Sequence, residues 1–179
     1  MLPLFMIVLV DLIGFGLYIP LLPFYAEHYQ ATPFIVGLVM AMFSFAQFIS
    51  APFWGNLSDR FGRKPILMIG MAGSMISYIW LAYADTLWML FAARALSGLM
   101  AGNIAAAFAY MADVTTRETR AKGMGMIGAA FGLGFIAGPA IGGILAGSDP
   151  ANADFQTPAL VAAALSATAF ILTMLILKE

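Results

Sequence analysis

The interval 55–65 reads GNLSDRFGRKP, and Arg60, Arg63 and Lys64 give it a concentrated positive charge. Long apolar stretches precede and follow it, and the whole chain is 63% hydrophobic and only 9% charged, with a mean hydropathy of +0.95. A soluble domain normally carries about a quarter charged residues. The interval is therefore interpreted as a short polar connection between two membrane-spanning helices.

The residue types in this connection predict more than a turn. Asp59 can pair with Arg63 or accept hydrogen bonds from a neighbouring helix end. Gly55 and Gly62 are expected to permit close packing and a tight reversal of the chain. One interpretation is a charged latch where helices cross, and the other is a basic loop that only fixes the orientation of the chain.

The hydropathy pattern predicts an all-α integral membrane fold with one six-helix transmembrane bundle over residues 1–179. A helix that crosses about 30 Å of hydrocarbon needs about 20 mostly apolar residues. Such stretches occur at about 4–25, 33–55, 65–84, 87–110, 123–146 and 158–177. No change in composition marks a second domain.

The basic residues of the connections predict the orientation. They fall only in the second and fourth connections and at the end of the chain: Arg60, Arg63, Lys64, Arg117, Arg120, Lys122 and Lys178. Because cytoplasmic connections carry an excess of Lys and Arg, both termini are expected to be cytoplasmic.

Composition argues against several other classes of protein. The chain has no cysteine, and His28 has no metal-ligand companion nearby, so we expect no metal and no cofactor. No nucleophile, base and orienting group fall together, which makes an enzyme the weakest interpretation. With a net charge of -1, nucleic acid is not an expected partner, whereas membrane lipid is.

Two ionisable residues lie inside predicted spans. Because an unpaired charge in a membrane costs free energy, the first hypothesis for each is a role in function. Asp11 is a candidate substrate or proton site, with structural anchoring or snorkelling to the inner surface as alternatives. Arg94 is a candidate cavity residue, and the depths of the two differ by roughly 10 Å, so we expect no direct salt bridge. Asn103 is about half a turn away from the face of Arg94 and is expected to pack between helices.

Two neutral polar residues of the second predicted helix are further candidate site residues. Ser44 and Gln47 are three residues apart and therefore share a helix face. We expect this face to line the cavity.

The fifth predicted helix is rich in glycine. Gly134, Gly138 and Gly142 recur at intervals of four residues, as do Gly128 and Gly132, which allows another helix to approach closely. Pro139 removes one backbone hydrogen bond and is expected to bend the helix. Tight packing alone and a hinge used in transport both explain this pattern.

Four segments together resemble the major facilitator superfamily over essentially the whole chain. The interval 55–65 resembles the family's signature loop, and residues 94–98 resemble the RxxxG motif of its fourth helix. Residues 134–143, GFIAGPAIGG, resemble the fifth-helix signature of its drug/proton antiporters, and residues 11–23 are similar to the first helix of the tetracycline-efflux branch.

This resemblance implies half of a twelve-helix transporter that works by alternating access around a central cavity. It implies an inner gate in which Asp59 and Arg63 pair with Asp113, and it links the fifth-helix motif with antiport. The residues of that motif are Gly134, Gly138, Pro139, Gly142 and Gly143.

The implied function is proton-coupled efflux of small amphipathic drugs across the bacterial inner membrane. The expected partners are substrate, protons and a second six-helix half, which is a second copy, a different half or a missing covalent half. The tetracycline exporters have an acid in the third helix where Ser77 stands here, which argues against tetracycline itself. The rival functions are a metabolite transporter and a six-helix assembly module without transport activity.

Overall fold

The computed structural model describes residues 1–147 and 153–177, and the regular elements in those ranges are all helical. Six helical stretches are long and apolar enough to cross a membrane, which confirms the predicted fold class. In chain order these six spans are α1 (Leu2–Tyr18) with a 3₁₀ turn (Ile19–Leu21) and α2 (Leu22–His28), α3 (Pro33–Phe61), α4 (Arg63–Ala82), α5 (Leu87–Leu99) with α6 (Asn103–Asp113), α7 (Arg120–Ala146) and α8 (Gln156–Ile176). The predicted connection at 148–152 and the basic Lys178 lie outside the described residues.

The second span is longer than the sequence predicted, because α3 continues through the polar interval to Phe61. The predicted loop is therefore mostly helix, and the reversal is made by Gly62 alone, whose φ of 95° is in the region that favours glycine. The expectation for Gly55 is wrong within the described chain, since a Cβ at this position would meet nothing within 4 Å.

The fourth span is two helices rather than the single helix that the sequence predicted. α5 ends at Leu99, and α6 begins only at Asn103. The break leaves carbonyl groups without helical partners. The Ser50 hydroxyl of α3 donates to the carbonyl of Gly98 at 3.3 Å, and the Trp54 indole donates to the carbonyl of Leu99. Two side chains of α3 thus stabilise the break.

The spans pack closely where small residues face each other. α1 lies against α7 and α8, α4 lies against α8, and α3 lies against α5. A Cβ at Gly138 would come within 2.6 Å of the backbone of Gly16, and a Cβ at Gly134 would come within 2.8 Å of the side chain of Leu12. The glycines of α7 therefore let its backbone touch that of α1.

The core has two apolar clusters with polar groups between them. One cluster contains Leu4 and Leu67, and the other contains Tyr25 and Leu81. The buried polar residues along the helices are Asp11, Ser50, Ser58, Ser74, Ser77, Arg94, Ser97, Asn103, Ser166 and Thr173. The otherwise apolar bundle therefore buries a set of polar side chains, and this set contains both ionisable residues that the sequence placed inside spans.

The start of α8 is capped by Asp154. Its carboxylate accepts hydrogen bonds from the backbone N–H groups of Gln156 and Thr157, both at 2.9 Å, and from the Thr157 hydroxyl. The hydrogen bonds from Thr157 hold the pKa of Asp154 below its ordinary value. The cap satisfies donors that a helix start leaves unpaired.

Candidate functional site

Three charged side chains meet where α3, α4 and α6 end or begin. The Arg63 guanidinium donates through Nη1 to Asp59, and through Nε to Asp113 at 3.1 Å. Nη1 also donates to the hydroxyl of Ser58 at 3.1 Å. The structure therefore brings together Asp59, Arg63 and Asp113, which we call the ion cluster.

The ion cluster is open to solvent, since the side chains of Arg63, Asp59 and Asp113 are 24%, 69% and 58% exposed. Exposed ion pairs contribute at most about 1 kcal/mol each. Arg60, which the sequence also assigned to this site, points away and places its guanidinium 5.6 Å from the ring centre of Phe61. The cluster is thus a set of weak contacts that can dissociate at low cost.

Lys64 extends this site to the end of the sixth span. Its ammonium donates to the carbonyls of Met174 at 3.0 Å and Leu177 at 2.7 Å. These carbonyls belong to the last turn of α8, where no helical donor is available. A pocket of about 550 Å³ lies beside the cluster, lined by Ser58, Asp59, Gly62, Arg63, Lys64, Tyr110, Asp113 and Val114.

Asp11 lies in the interior of the bundle, where its exposure is 9%, so it does not snorkel to either surface. One carboxylate oxygen accepts a hydrogen bond from the Asn103 amide at 2.7 Å, and the other accepts one from the Ser166 hydroxyl at 3.1 Å. No cation pairs with it among the residues that the structure describes. Asp11 thus joins α1, α6 and α8 through neutral groups.

Arg94 is also buried, with 4% of its surface exposed. Its guanidinium carbon lies 4.7 Å from the ring centre of Phe43, a cation–π geometry. Its Nε and the hydroxyl of Tyr18 have no hydrogen-bond partner within the described ranges. Arg94 forms no salt bridge with Asp11 there.

Small cavities lie beside Asp11. One of about 20 Å³ is lined by Asp11, Leu12, Phe15, Phe43, Ser74, Tyr78, Ser97, Ala101, Asn103 and Ile104. This volume is enough for one water molecule. Ser77, which stands where the resemblance led us to look for an acid, is fully buried and donates to the carbonyl of Ala93 at 2.7 Å.

The face of α3 that carries Ser44 and Gln47 is left uncovered by the other spans. Ser44 is exposed and Gln47 is partly exposed, and Phe45 and Phe48 are among the most exposed large side chains of the chain. This face mixes polar groups with aromatic rings. It therefore has the composition of a cavity wall for amphipathic compounds.

The signature glycines of α7 divide between two faces. Gly134, Gly138 and Gly142 are buried against α1, whereas a Cβ at Gly143 would meet nothing within 4 Å. α7 is helical throughout Arg120–Ala146 although it contains Pro139. Of the two interpretations left open, close packing accounts for the buried glycines.

The opposite end of the bundle has an aromatic cap, which we define as Tyr25, Tyr29 and Phe155. Both tyrosine hydroxyls donate to the carbonyl of Ala84, at 2.6 Å and 2.8 Å, and Tyr25 also donates to that of Leu81 at 3.2 Å. The rings of Tyr25 and Phe155 stack with their centres 4.6 Å apart. His28 is exposed, and its ring contacts that of Tyr29 at the edge of this group.

The sequence did not identify the aromatic cap or the contact between Asp11 and Asn103. Tyrosine is common at membrane interfaces, which is a signal for the location of Tyr25 and Tyr29 but not for their carbonyl partners. The contact of Asn103 was missed because the fourth span was taken as one helix. With the break, the angle counted from Arg94 no longer applies.

The comparisons with known proteins agree with this architecture. The chain is 38% identical to the tetracycline resistance protein, class B, of Escherichia coli over 176 residues, which is 97% of this chain and 43% of that protein. It is also 38% identical to multidrug resistance protein 1 of Bacillus subtilis (strain 168) over 168 residues, which is 93% of this chain and 42% of that protein. The chain thus spans less than half the length of these relatives.

A solved structure shows the same arrangement of helices. The crystal structure of the human organic anion transporter MFSD10 (TETRAN) superposes with a TM-score of 0.83 and 26% sequence identity, and the match covers 99% of this chain and 46% of that one. The Major Facilitator Superfamily profile matches residues 4–179. The signature motifs, the six spans and these matches together show that this chain belongs to the Major Facilitator Superfamily.

Proposed function

We propose that this chain is one half of a proton-coupled transporter that exports small amphipathic compounds by alternating access. The observation that carries the proposal is the environment of Asp11. It is a carboxylate inside a membrane span, it is bonded to two neutral groups, and no cation pairs with it in the described part of the chain. Such a group can gain or lose a proton without breaking an ion pair, and ionisable residues inside spans commonly serve ion pathways.

The direction of transport and the class of substrate are supported by the relatives. One of these relatives is named as a tetracycline resistance protein and the other as a multidrug resistance protein. In this chain the exposed aromatic side chains of α3, together with Ser44 and Gln47, would supply apolar contact and a few hydrogen bonds to an amphipathic substrate. Asp59, Arg63 and Asp113 would close the inner gate.

A second six-helix half would complete the cavity. The chain corresponds to 43% of the length of its tetracycline-resistance relative, and the wall formed by α3 has no opposing wall in the described residues. In this class of transporter, substrate binds between two halves related by an axis along the membrane normal. The partner is a second copy, a different half or a covalently attached one.

We further propose that both termini and the ion cluster face the cytoplasm of a bacterial cell, because the basic residues of the connections lie at that end. Thr116 and Gln30 are exposed at opposite ends of the bundle, and the chain has no cysteine of its own. A cysteine at Gln30 should therefore react with an impermeant reagent added to intact cells, and one at Thr116 should not. The reverse pattern would contradict this topology.

The transport proposal is tested in proteoliposomes with a pH-sensitive dye inside. Members of a panel of cationic and neutral amphipathic compounds should produce proton movement when added to the parent protein, and Asp11→Asn should abolish it. Asp85→Asn is the matched control, because Asp85 is an exposed carboxylate outside the spans. Substrate transport without proton movement, or normal coupling in Asp11→Asn, would contradict the proposal.

A further inference from the structure

We propose that Asn103 is a positioning residue that passes a change in the charge of Asp11 to the ion cluster by moving α6. This inference rests on the proposed role of Asp11 as the proton site, and it adds a route from that site to the inner gate. It begins with the break in the fourth span. Because residues 100–102 are not part of either helix, α6 can change its tilt without carrying α5 with it.

One end of α6 contacts Asp11, and the other end contacts the ion cluster. Asn103, its first residue, donates to Asp11 at 2.7 Å, and Asp113, its last residue, accepts from Arg63 at 3.1 Å. At 1.5 Å per residue this helix of 11 residues spans about 16 Å. Asn103 lies beside the break and Asp113 at the far end, so a small tilt of α6 that follows a change at Asn103 would be largest at Asp113.

The break itself is held in place from α3. Ser50 and Trp54 bind the carbonyls at the end of α5, and the indole of Trp54 lies where any side chain at position 102 would have to be. These contacts fix the end of α5 and the break itself against α3, since Gly102 is the N-cap of α6. The break is thus a fixed point beside the first residue of α6.

The hydrogen bonds of Asn103 make it sensitive to charge at Asp11. The Oδ1 atom of Asn103 accepts from the backbone N–H of Ile104 at 3.0 Å, so the amide nitrogen must face Asp11 and can only donate. A hydrogen bond to a carboxylate is about twice as strong as one to a neutral group. Protonation of Asp11 therefore weakens the tie to α6, while the Ser166 hydroxyl can turn to accept the new proton.

Other titratable groups around Asp11 are few. Of the residues that line the two cavities touching Asp11, Tyr78 on α4 is the other titratable one. Arg94 on α5 lies over Phe43, which lines one of these cavities. The lining residues from α3, α7 and the rest of α6 are not titratable. A pH response that is lost in Asp11→Asn therefore reports on Asp11.

The test uses a nitroxide attached to a cysteine at Val114, which is exposed and lines the pocket beside the ion cluster. Its mobility is recorded against pH in the full-length protein in nanodiscs. We expect a mobility step in the parent protein that Asp11→Asn removes, corresponding to a shift of about 5-fold or more in the equilibrium at the cluster. Asn103→Ala should remove the step as well.

Two further variants separate this route from general damage. Ser166→Ala deletes the other hydrogen bond to the same carboxylate, which comes from α8. Because α8 carries none of the three residues of the ion cluster, this variant should move the pH midpoint and keep the amplitude. The exchange Asp11→Asn with Asn103→Asp keeps one carboxylate and one amide in contact and should restore the step. This rescue also shows that loss in Asn103→Ala is not misfolding.

The outcomes distinguish this inference from the proposed function. A full step in Asn103→Ala, or no step in the parent protein, overturns the route through α6, and proton movement in proteoliposomes then still tests Asp11 separately. Equal loss of amplitude in Ser166→Ala and Asn103→Ala also overturns it. Loss in Asn103→Ala with retention in Ser166→Ala and recovery in the exchange supports it.

Discussion

The two ends of this bundle are held together by different chemistry. At one end the ion cluster joins three helices through exposed charges, of which Asp59 is 69% exposed. At the other end the aromatic cap joins α2, α4 and the start of α8 through hydroxyl groups and stacked rings, and Tyr25 is only 6% exposed. Exposed ions separate at little cost, whereas a buried carbonyl that loses its donor costs about 1–3 kcal/mol.

The comparison shows that the more stabilising contacts lie at one end and the more easily exchanged contacts lie at the other. The aromatic cap contributes to folding and has no ion pair to exchange. The ion cluster contributes little to folding, so its contacts can change without unfolding the bundle. Four substitutions, taken from the largest expected effect to the smallest, test this division.

Replacing Tyr25 with alanine should have the largest effect on stability. The variant loses the stacked ring and leaves the carbonyls of Leu81 and Ala84 without that donor, so unfolding should become easier by about 3–5 kcal/mol. Tyr25→Phe keeps the ring and should lose about 1–3 kcal/mol. Reversible unfolding in detergent, monitored by circular dichroism, measures both.

The matched control for Tyr25 is its neighbour Phe24. Its side chain is exposed on the lipid side of the same helix, so Phe24→Ala should change stability little. If Tyr25→Ala and Phe24→Ala had equal effects, the aromatic cap would not be a stabilising feature.

Lys64→Met should have an intermediate effect, because it removes a charged donor and keeps most of the aliphatic stem. The carbonyls of Met174 and Leu177 lose their donor at the end of α8, which we expect to cost about 1–2 kcal/mol. Lys64→Arg should restore most of this stability, and Arg60→Met, which removes an exposed cation without such contacts, should be neutral. Hydrogen exchange at the last turn of α8 is the measurement, and unchanged exchange in Lys64→Met would refute the cap.

Asp154→Ala should cost about 0.5–1 kcal/mol, since Asp154 caps the start of α8. The pKa of this carboxyl is lowered below its ordinary value of 3.8 by the Thr157 hydrogen bonds. The stability that the Asp154 carboxylate contributes is therefore complete at pH values above its ordinary pKa, and it is lost as the pH falls through the lowered pKa. Asp154→Asn, which keeps an acceptor, should retain most of the stability at neutral pH and lose the acid sensitivity, which unfolding at several pH values measures.

Asp59→Asn should have the smallest effect on stability, below about 0.5 kcal/mol, because the pair is exposed. Its effect should instead appear as faster modification of a cysteine at Val114, which lies beside the cluster. Asp85→Asn is the control, because Asp85 is not part of the ion cluster. A loss of stability comparable to that in Tyr25→Ala would break the contrast between the two ends.

Much of the fold follows from hydropathy alone. Six apolar stretches separated by turn residues predicted the six spans, because a helix is the structure that satisfies its backbone within one segment in lipid. The local sequence near Pro33 also placed the start of α3, where the Thr32 hydroxyl accepts from the N–H of Ile35.

The sequence could not predict features that depend on a second helix. The stretch 87–110 is apolar enough overall to be interpreted as one span, so the break after Leu99 is visible only once Trp54 and Ser50 are seen to bind the freed carbonyls. Gly55 looked like a packing residue, yet nothing in the described chain lies against it. The pairing of Asp59 and Asp113 with Arg63 was expected from the resemblance, whereas the partners of Asp11 required coordinates.

The unequal lengths of α3 and α4 determine which solvent surrounds the ion cluster. With 29 residues α3 measures about 43 Å, whereas α4 with 20 residues measures about 30 Å and matches the hydrocarbon thickness. The surplus of α3 includes its last, polar turns, so we expect Asp59 to lie beyond the acyl chains, at the depth of the phospholipid headgroups. Phosphate and amine groups of the lipid, together with their counterions, would then be the immediate medium of the ion cluster. The charge of the surrounding leaflet and the ionic strength would thus set how firmly the cluster holds, independently of Asp11 in the bundle interior.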